Sequence, residues 1–278
     1  MRMQNWQQGE VACADASLHY YRSGGDLPPL VFVHGFTDHA MYFTRVAETL
    51  TQQWDVIAYD QRGHGRSSRA QGRFDTALLA DDLAAVVEAL ALDRPALVGH
   101  SLGGAVITQA LATGSAPSRG AVLEDPFWLE LRDELAAQYL EARAQHVAGW
   151  RAWVAGLQRM PYTEALASRS ADEPRWSRLD VETCLDGRLT FQLDLFDHFP
   201  TQTSPWRDPV TRFGVPVQLL TGSDRGRGAV VSRADALEAT TLNSQLQWAE
   251  FEGAGHHIKY DSFNEYLTSV TTFLTALA

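Results

Sequence analysis

The chain has 278 residues, of which 45% are hydrophobic and 21% are charged, and this composition excludes disordered and fibrous proteins. Acidic residues outnumber basic ones by 34 to 23, and the resulting net charge of −11 argues against binding to nucleic acid or to an anionic membrane surface. At roughly 100 to 200 residues per domain, the length allows one large domain or a core with one sizeable insertion.

Lysine and cysteine usage narrows the chemistry further. Lys259 is the only lysine, and no Gly-Lys-Ser/Thr segment exists, so a Walker-type phosphate loop is excluded. Cys13 and Cys184 lie far apart and predict neither a disulfide framework nor a zinc site. Residues 1–10 lack the apolar centre of a signal peptide and no run approaches 18 apolar residues, so we expect a soluble, cytoplasmic protein.

The first half of the chain alternates short apolar runs with helical stripes. Residues 11–21 predict two short strands around a turn. Further strands are predicted at residues 30–33, 55–59, 95–98 and 121–123, with helices at residues 41–51, 75–92 and 102–113. Because the later strands are continuous apolar runs, they predict a parallel sheet covered by helices on both faces.

The pattern changes after residue 125. Residues 127–205 predict helices, most clearly at 129–157, and no convincing strand. Alternation then resumes with a strand at 215–220, a helix near 233–241, a strand at 246–251 and a final helix, where Ser262 and Glu265 have capping-box spacing. The simplest interpretation is an α/β core formed by residues 1–125 and 206–278, interrupted by a helical cap at residues 126–205.

A Gly-His-Ser-Leu-Gly segment at residues 99–103 is the central chemical signal. It fits the Gly-x-Ser-x-Gly nucleophile elbow, and it lies between a predicted strand and a predicted helix, as that motif requires. Glycines are needed two residues before and after the serine because side chains there would collide with the neighbouring strand and helix. The segment therefore predicts Ser101 as a nucleophile.

A serine nucleophile needs a base and an orienting acid. His256 ends a Gly-Ala-Gly-His segment after a predicted strand and is favoured as the base over its neighbour His257. Two aspartates directly follow predicted strands, and we favour Asp224 as the acid, with Asp125 as the alternative.

The oxyanion of a tetrahedral intermediate needs two backbone donors. We expect them to be the N–H of Leu102, at a helix start, and the N–H of Phe36, in the loop after the strand at residues 30–33. The lone lysine, Lys259, is expected to flank the site as a loop residue.

Five segments together resemble the α/β-hydrolase fold family. They are residues 34–36 (His-Gly-Phe), 60–67 (Asp-Gln-Arg-Gly-His-Gly-Arg-Ser), 99–104 (Gly-His-Ser-Leu-Gly-Gly), 222–224 (Gly-Ser-Asp) and 255–256 (Gly-His). The resemblance implies a mostly parallel eight-stranded sheet, a helical cap over the active site and a Ser-His-Asp triad without a cofactor. It also implies a structural turn at residues 60–67, with no metal role for Asp60 or His64. The arginines and glycines at residues 225–228 depart from the family pattern.

These features predict a serine hydrolase that cleaves a small to medium carboxylic ester through an acyl-enzyme. Tryptophans in the insertion suggest an apolar substrate, although they could also pack the cap itself. A nucleophilic serine argues against haloalkane dehalogenases and epoxide hydrolases, which use aspartate. Lactone, amide and carbon–carbon hydrolysis remain open, as does a non-catalytic ligand-binding protein of this fold. The sequence predicts no oligomeric state.

Overall fold

A computed structural model of the chain describes residues 3–130, 136–198 and 204–277. Its strands join in one eight-stranded sheet with the order β1-β2-β4-β3-β5-β6-β7-β8. The strands are β1 (Gln7–Cys13), β2 (Ala16–Arg22), β3 (Pro29–Val33), β4 (Asp55–Tyr59), β5 (Ala96–His100), β6 (Gly120–Glu124), β7 (Val217–Gly222) and β8 (Leu246–Phe251). β1 and β2 form an antiparallel hairpin at one edge, and β3 to β8 pair in parallel, which confirms the predicted mostly parallel sheet.

The central strands are buried along their whole length because helices cover both faces of the sheet. β4, β5 and β6 have no exposed residue. Alternate residues of neighbouring strands enter different core clusters: Val31 and Leu97 lie in one, and Phe32 and Val98 lie in the other. This two-sided burial explains why these strands are continuous apolar runs in the sequence.

The described helices follow the predicted order closely. They are α1 (Thr44–Leu50), α2 (Thr76–Ala89), α3 (Leu102–Thr113), α4 (Ala136–Arg159), α5 (Tyr162–Asp172), α6 (Arg178–Thr190), α7 (Arg207–Thr211), α8 (Arg233–Leu242), α9 (Ile258–Asp261) and α10 (Phe263–Thr275). The capping box expected at α10 does not form, because the Ser262 side chain makes no capping bond. Instead the short helix α9 leads directly into α10, and the Ser262 N–H donates to the Ile258 carbonyl.

The described part of the insertion between β6 and β7 consists of helices joined by loops, with an isolated bridge between Leu129 and Ser204 and no strand. It holds α4 to α7 and a short 3-10 helix, Leu193–Asp197. Parts of the helix predicted at 129–157 and of the insertion predicted at 126–205 lie outside the described residues. The division of the chain into core and cap at residues 125 and 206 stays a prediction.

The segment from Asp60 to Ser67 contains a network of buried polar contacts. The Asp60 carboxylate accepts the backbone N–H of Ala40 at 2.7 Å and that of Arg66 at 2.9 Å. Arg62 donates through Nε and Nη2 to both carboxylate oxygens of Asp82, each at 2.7 Å. These contacts tie the turn after β4 to the loop after β3 and to α2, as a structural role requires.

Within the residues that the structure describes, no helix combines the length and the apolar character needed to cross a membrane.

Candidate active site

Ser101 stands at a sharp turn between β5 and α3. Its backbone has φ 52° and ψ −114°, a conformation that L-residues adopt rarely. Hydrogen bonds fix it on both sides: the Ser101 N–H donates to the Glu124 carbonyl at 3.0 Å, and the Ser101 carbonyl accepts the Phe127 N–H at 2.8 Å. The strand, strained serine and helix predicted from the sequence are therefore present in this order.

The two glycines of the motif are required by close packing. A Cβ on Gly99 would lie 2.6 Å from the backbone of Gly103, and a Cβ on Gly103 would overlap the carbonyl oxygen of Val33. Any larger residue would push α3 away from the sheet, so these glycines allow the approach that the turn at Ser101 needs.

His256 lies in the loop after β8 and contacts a buried carboxylate. Its Nδ1 is 2.6 Å from Oδ2 of Asp125, whose side chain is fully buried. The same carboxylate accepts the backbone N–H of Val230 at 2.8 Å and that of Val231 at 3.0 Å. With the carboxylate ionised, Nδ1 of His256 is the donor, which leaves Nε2 able to accept a proton.

The contact with His256 that we expected of Asp224, the favoured acid, is made by the alternative, Asp125. The Asp224 carboxylate instead accepts the backbone N–H of Arg227 at 3.2 Å and caps the one-turn helix Arg225–Arg227. The loop after β7 turns back so that the N–H groups of Val230 and Val231 face Asp125. This loop therefore holds the Asp125 carboxylate in place through its backbone, while its own Asp224 carboxylate bonds within the loop.

His257, the competing histidine, points elsewhere. Its Nδ1 is 2.8 Å from the hydroxyl of Tyr42. Burial, together with the neighbouring imidazoles of His100 and His256, holds the pKa of His257 well below its ordinary value. The lowered pKa makes His257 a weaker base than an ordinary histidine, and its Nδ1 faces a tyrosine instead of a carboxylate, so the geometry favours His256.

His100 is a component of the site that sequence reasoning missed. Its Nε2 is 3.1 Å from the backbone carbonyl of His256, and its Nδ1 is 3.2 Å from Oδ2 of Asp38. The side chain is buried and stacks on the ring of Tyr42, with centroids 4.7 Å apart. His100 thus joins the loop after β3 to the loop that carries the base. Its position inside the motif at residues 99–103 was the available signal.

The two residues expected to form the oxyanion hole lie at the expected elements. Leu102 begins α3, whose first N–H groups have no partner within the helix. Phe36 lies in the loop after β3, and its ring is buried against those of Phe74 and Phe191. Their donation to an oxyanion stays a prediction.

Lys259 is not the loop residue that we expected. It lies in α9 with 1% of its surface exposed, and its Nζ is 2.7 Å from the centre of the Tyr42 ring. The residues that line the cavity at Ser101 do not include it. We expected a loop residue because Lys259 closely follows the Gly-Ala-Gly-His segment that ends at His256. The chain instead turns inward directly after His257.

A cavity of about 840 Å³ opens at Ser101 and His256. Trp150, Trp153 and Trp176 of the insertion line it, whereas Trp128 stacks on Trp206 outside it, with ring centroids 4.8 Å apart. The cavity is therefore only partly the apolar pocket that we expected. Arginines line it as well: Arg143, Arg169, Arg188, Arg225 and Arg227.

No group of three or more potential metal ligands occurs among the described residues.

Comparisons with known proteins agree with this architecture. The model of the family described as alpha/beta hydrolase fold matches residues 28–262. An N-formylmaleamate deformylase from Pseudomonas putida is 28% identical over 267 residues, which cover 96% of each chain. A 2-(acetamidomethylene)succinate hydrolase from Mesorhizobium japonicum is 28% identical over 92% of this chain and 91% of its own. The solved structure of an esterase from Rhodococcus has a TM-score of 0.75 at 22% identity, covering 98% of this chain and 99% of that one.

Proposed function

Because the chain belongs to the α/β-hydrolase family, we propose that Ser101, His256 and Asp125 form the catalytic triad of a serine hydrolase that cleaves a carboxylic ester. The contact that carries the proposal is the 2.6 Å pair between His256 and the buried Asp125 carboxylate, beside the cavity that opens at Ser101. An imidazole oriented by a carboxylate is what converts a serine hydroxyl into a nucleophile.

In the first half of the reaction, Oγ of Ser101 attacks the carbonyl carbon of the ester. Nε2 of His256 accepts the hydroxyl proton, and Asp125 stabilises the imidazolium that forms. The tetrahedral oxyanion takes hydrogen bonds from the N–H groups of Leu102 and Phe36, aided by the positive end of the α3 dipole. When the intermediate collapses, the imidazolium gives its proton to the leaving alcohol and the acyl group stays on Ser101.

In the second half, a water molecule takes the place of the alcohol. His256 accepts a proton from this water as it attacks the acyl carbonyl, and then returns it to Oγ of Ser101. The acid product leaves, and the serine hydroxyl is restored. His256 therefore transfers a proton in both halves, and the water molecule supplies the hydrogen and the hydroxyl that the alcohol and the acid gain.

A second candidate is hydrolysis of an amide by the same triad. It is favoured by the two relatives that align over more than nine-tenths of both chains, whose names state a deformylase of N-formylmaleamate and a hydrolase of 2-(acetamidomethylene)succinate. Amide hydrolysis differs at one step, because His256 must protonate a leaving nitrogen. The fold alone does not choose between the two bonds.

A fluorophosphonate probe tests the triad directly. We expect one adduct per chain by intact mass, located at Ser101 by peptide mapping, and no adduct on S101A. An unlabelled wild-type protein would indicate a ligand-binding member of the fold, since such a protein has no need of an activated serine. Labelling at any other residue would contradict the assignment.

A matched pair of substrates separates the two bond types. 4-Nitrophenyl acetate and 4-nitroacetanilide share an acetyl group and a 4-nitrophenyl ring and differ in the scissile bond; they release 4-nitrophenol and 4-nitroaniline respectively. An ester hydrolase is expected to cleave the first and leave the second intact, and S101A should cleave neither. Cleavage of the anilide at a comparable kcat/KM would favour amide hydrolysis as the function.

A further inference from the structure

The cavity at Ser101 is strongly cationic. Among the residues that the structure describes, five arginines line it against one acidic residue, Glu173, in a protein whose net charge is −11. The arginines come from different parts of the chain, three from helices of the insertion and two from the loop after β7. Concentrating positive charge in one cleft of an acidic protein raises the local concentration of anions there.

Several of these arginines have partners in the protein. Arg169 pairs with Asp172 at 3.0 Å and with Glu173 at 3.6 Å. Arg227 pairs with Glu173 at 3.0 Å and with Asp261 at 2.7 Å. These ion pairs compensate the positive charge of both guanidinium groups. The fold alone therefore accounts for the presence of these two arginines.

Arg188 differs because it is buried and hydrogen-bonds no carboxylate of the described residues. It lies in α6 with 5% of its surface exposed, and it forms no ion pair with any described residue. Its Nη1 donates to the carbonyl of Cys184 at 2.7 Å and contacts the Cys184 sulfur at 2.5 Å, while its Nε is buried with no hydrogen bond. The buried Asp38 carboxylate acts electrostatically on Arg188 but forms no hydrogen bond with it: Oδ2 of Asp38 bonds His100, and its Oδ1 bonds none of the described residues.

Arg62 is a buried arginine whose guanidinium does bond a carboxylate, that of Asp82. It is equally buried, and its Nε and Nη2 donate side by side to the two carboxylate oxygens of Asp82. The matching edge of Arg188, Nε and Nη2, makes no such contact with the described residues. A buried guanidinium with an unpaired N–H is costly, and bidentate carboxylate binding is the geometry for which this edge is suited.

The surroundings of Arg188 hold it in place for a ligand. Its guanidinium lies 5.4 Å from the centre of the Trp153 ring, and that of Arg169 lies 5.1 Å from the same ring. Cys184, one turn earlier in α6, anchors Nη1. Two contacts therefore fix the orientation of the group and leave its other edge available.

We propose that Arg188 binds a carboxylate of the substrate, so that the substrate carries an anionic carboxylate in addition to the bond that Ser101 attacks. This inference rests on the proposed function, because Arg188 and Ser101 line the same cavity. It replaces the apolar substrate expected from the tryptophans with an anionic one, whose carbon skeleton packs against those rings.

A pair of 4-nitrophenyl esters, one with a free carboxylate and one with that carboxylate methylated, tests the proposal. The probes are mono-4-nitrophenyl glutarate and its neutral methyl ester, and the measured quantity is the ratio of their kcat/KM values. We expect the wild type to prefer the charged ester, and R188Q to lower the ratio by about ten- to a hundredfold, mainly through KM. R188K keeps the charge without the planar fork and should give an intermediate ratio. The matched control is R178Q, which changes an exposed arginine of the same helix and should leave the ratio unaltered.

The proposal would be overturned if kcat/KM fell equally for both esters in R188Q, or if the wild type showed no preference for the charged ester. Calorimetric binding of glutarate, with neutral glutaramide as control, is independent of catalysis. If the wild type cleaves neither ester, the proposed function fails on its own, and glutarate binding lost in R188K or R188Q would still support the anion site. Absence of glutarate binding to the wild type would contradict it. Circular dichroism identifies a variant that fails to fold. If R188Q does not fold, the comparison of R188K with the wild type tests the proposal.

Discussion

Nδ1 of His256 and Oδ2 of Asp125 are 2.6 Å apart although 131 positions separate the two residues in the chain. The contact exists because β6, which ends just before Asp125, lies two strands from β8, which ends before the His256 loop, and β7 runs between them. The carboxyl ends of parallel strands meet at one edge of the sheet, so a carboxylate that follows β6 can reach across the end of β7.

D125N tests the acid assignment. Val230 and Val231 donate to different oxygens of Asp125, so the asparagine amide keeps an acceptor for only one of these N–H groups, and it no longer stabilises an imidazolium at His256. We expect kcat to fall by about 10³- to 10⁴-fold with the fold intact, as measured with 4-nitrophenyl acetate and circular dichroism.

D224N is the matched control for that variant. Its side chain still caps the turn through an oxygen that accepts the Arg227 N–H, so kcat should remain within about threefold of the wild type. If D224N loses activity and D125N retains it, the loop after β7 supplies the acid and the assignment to Asp125 is wrong.

His100 is expected to act as a positioning residue through the His256 backbone. H100L removes the bond to the His256 carbonyl and leaves the buried Asp38 carboxylate without its partner. We expect kcat to fall by about ten- to a hundredfold with KM nearly constant, and the free energy of unfolding to fall by roughly 3 kcal/mol.

The double variant H100L/D38L separates the two effects. Removing the unpaired carboxylate should restore most of the unfolding free energy, measured by urea denaturation, while kcat stays low. Recovery of kcat together with stability would show that His100 matters only for folding.

The sequence predicted the parts of the site that depend on local geometry. Ser101, its flanking glycines and the helix at Leu102 follow one another directly, so sterics within a few residues determine the turn. The choice between Asp125 and Asp224 could not be predicted in this way, because both follow strands and only the path of the loop after β7 distinguishes them. Arg188 was equally hidden, since no pattern within α6 indicates that one of its arginines lacks a counterion.

G103A tests the close approach of α3 to β3. Because the added Cβ would overlap the Val33 carbonyl, which belongs to the sheet backbone, α3 must shift. We expect a loss of about 2 to 4 kcal/mol in the free energy of unfolding and loss of fluorophosphonate labelling at Ser101.

G156A makes the same chemical change in an open place. A Cβ on Gly156, in α4, would meet no atom within 4 Å, so the variant should gain about 0.5 to 1 kcal/mol from helix propensity. Equal stability of G103A and G156A in urea denaturation would argue against the packing constraint.

Burial of Lys259 predicts a specific dependence of stability on pH. Removal of its ammonium from water lowers the pKa of Lys259 from 10.5 to about 8, although Glu124, Asp38 and Asp180 act in the opposite direction. The folded state therefore releases this proton at a lower pH than the unfolded state does. The Lys259 contribution to stability is unfavourable below about pH 8, and it becomes steadily less so between pH 8 and 10.5. At about 1.4 kcal/mol per tenfold change in proton affinity, the whole change is roughly 3 kcal/mol.

K259M removes this titration and keeps an unbranched side chain beside Tyr42. Urea denaturation should show a stability advantage of K259M over the wild type that is greatest near pH 7 and falls by roughly 3 kcal/mol up to pH 10.5. K259R, whose guanidinium stays charged throughout, should show no such rise of stability relative to K259M. Burial raises the pKa of Tyr42 and of Tyr260 well above 10, so these tyrosines titrate above this interval. Parallel pH profiles of the unfolding free energy for the wild type and K259M would mean that Lys259 keeps an ordinary pKa in the folded protein. In that case water, or the Tyr42 ring whose centre is 2.7 Å from Nζ, stabilises the ammonium.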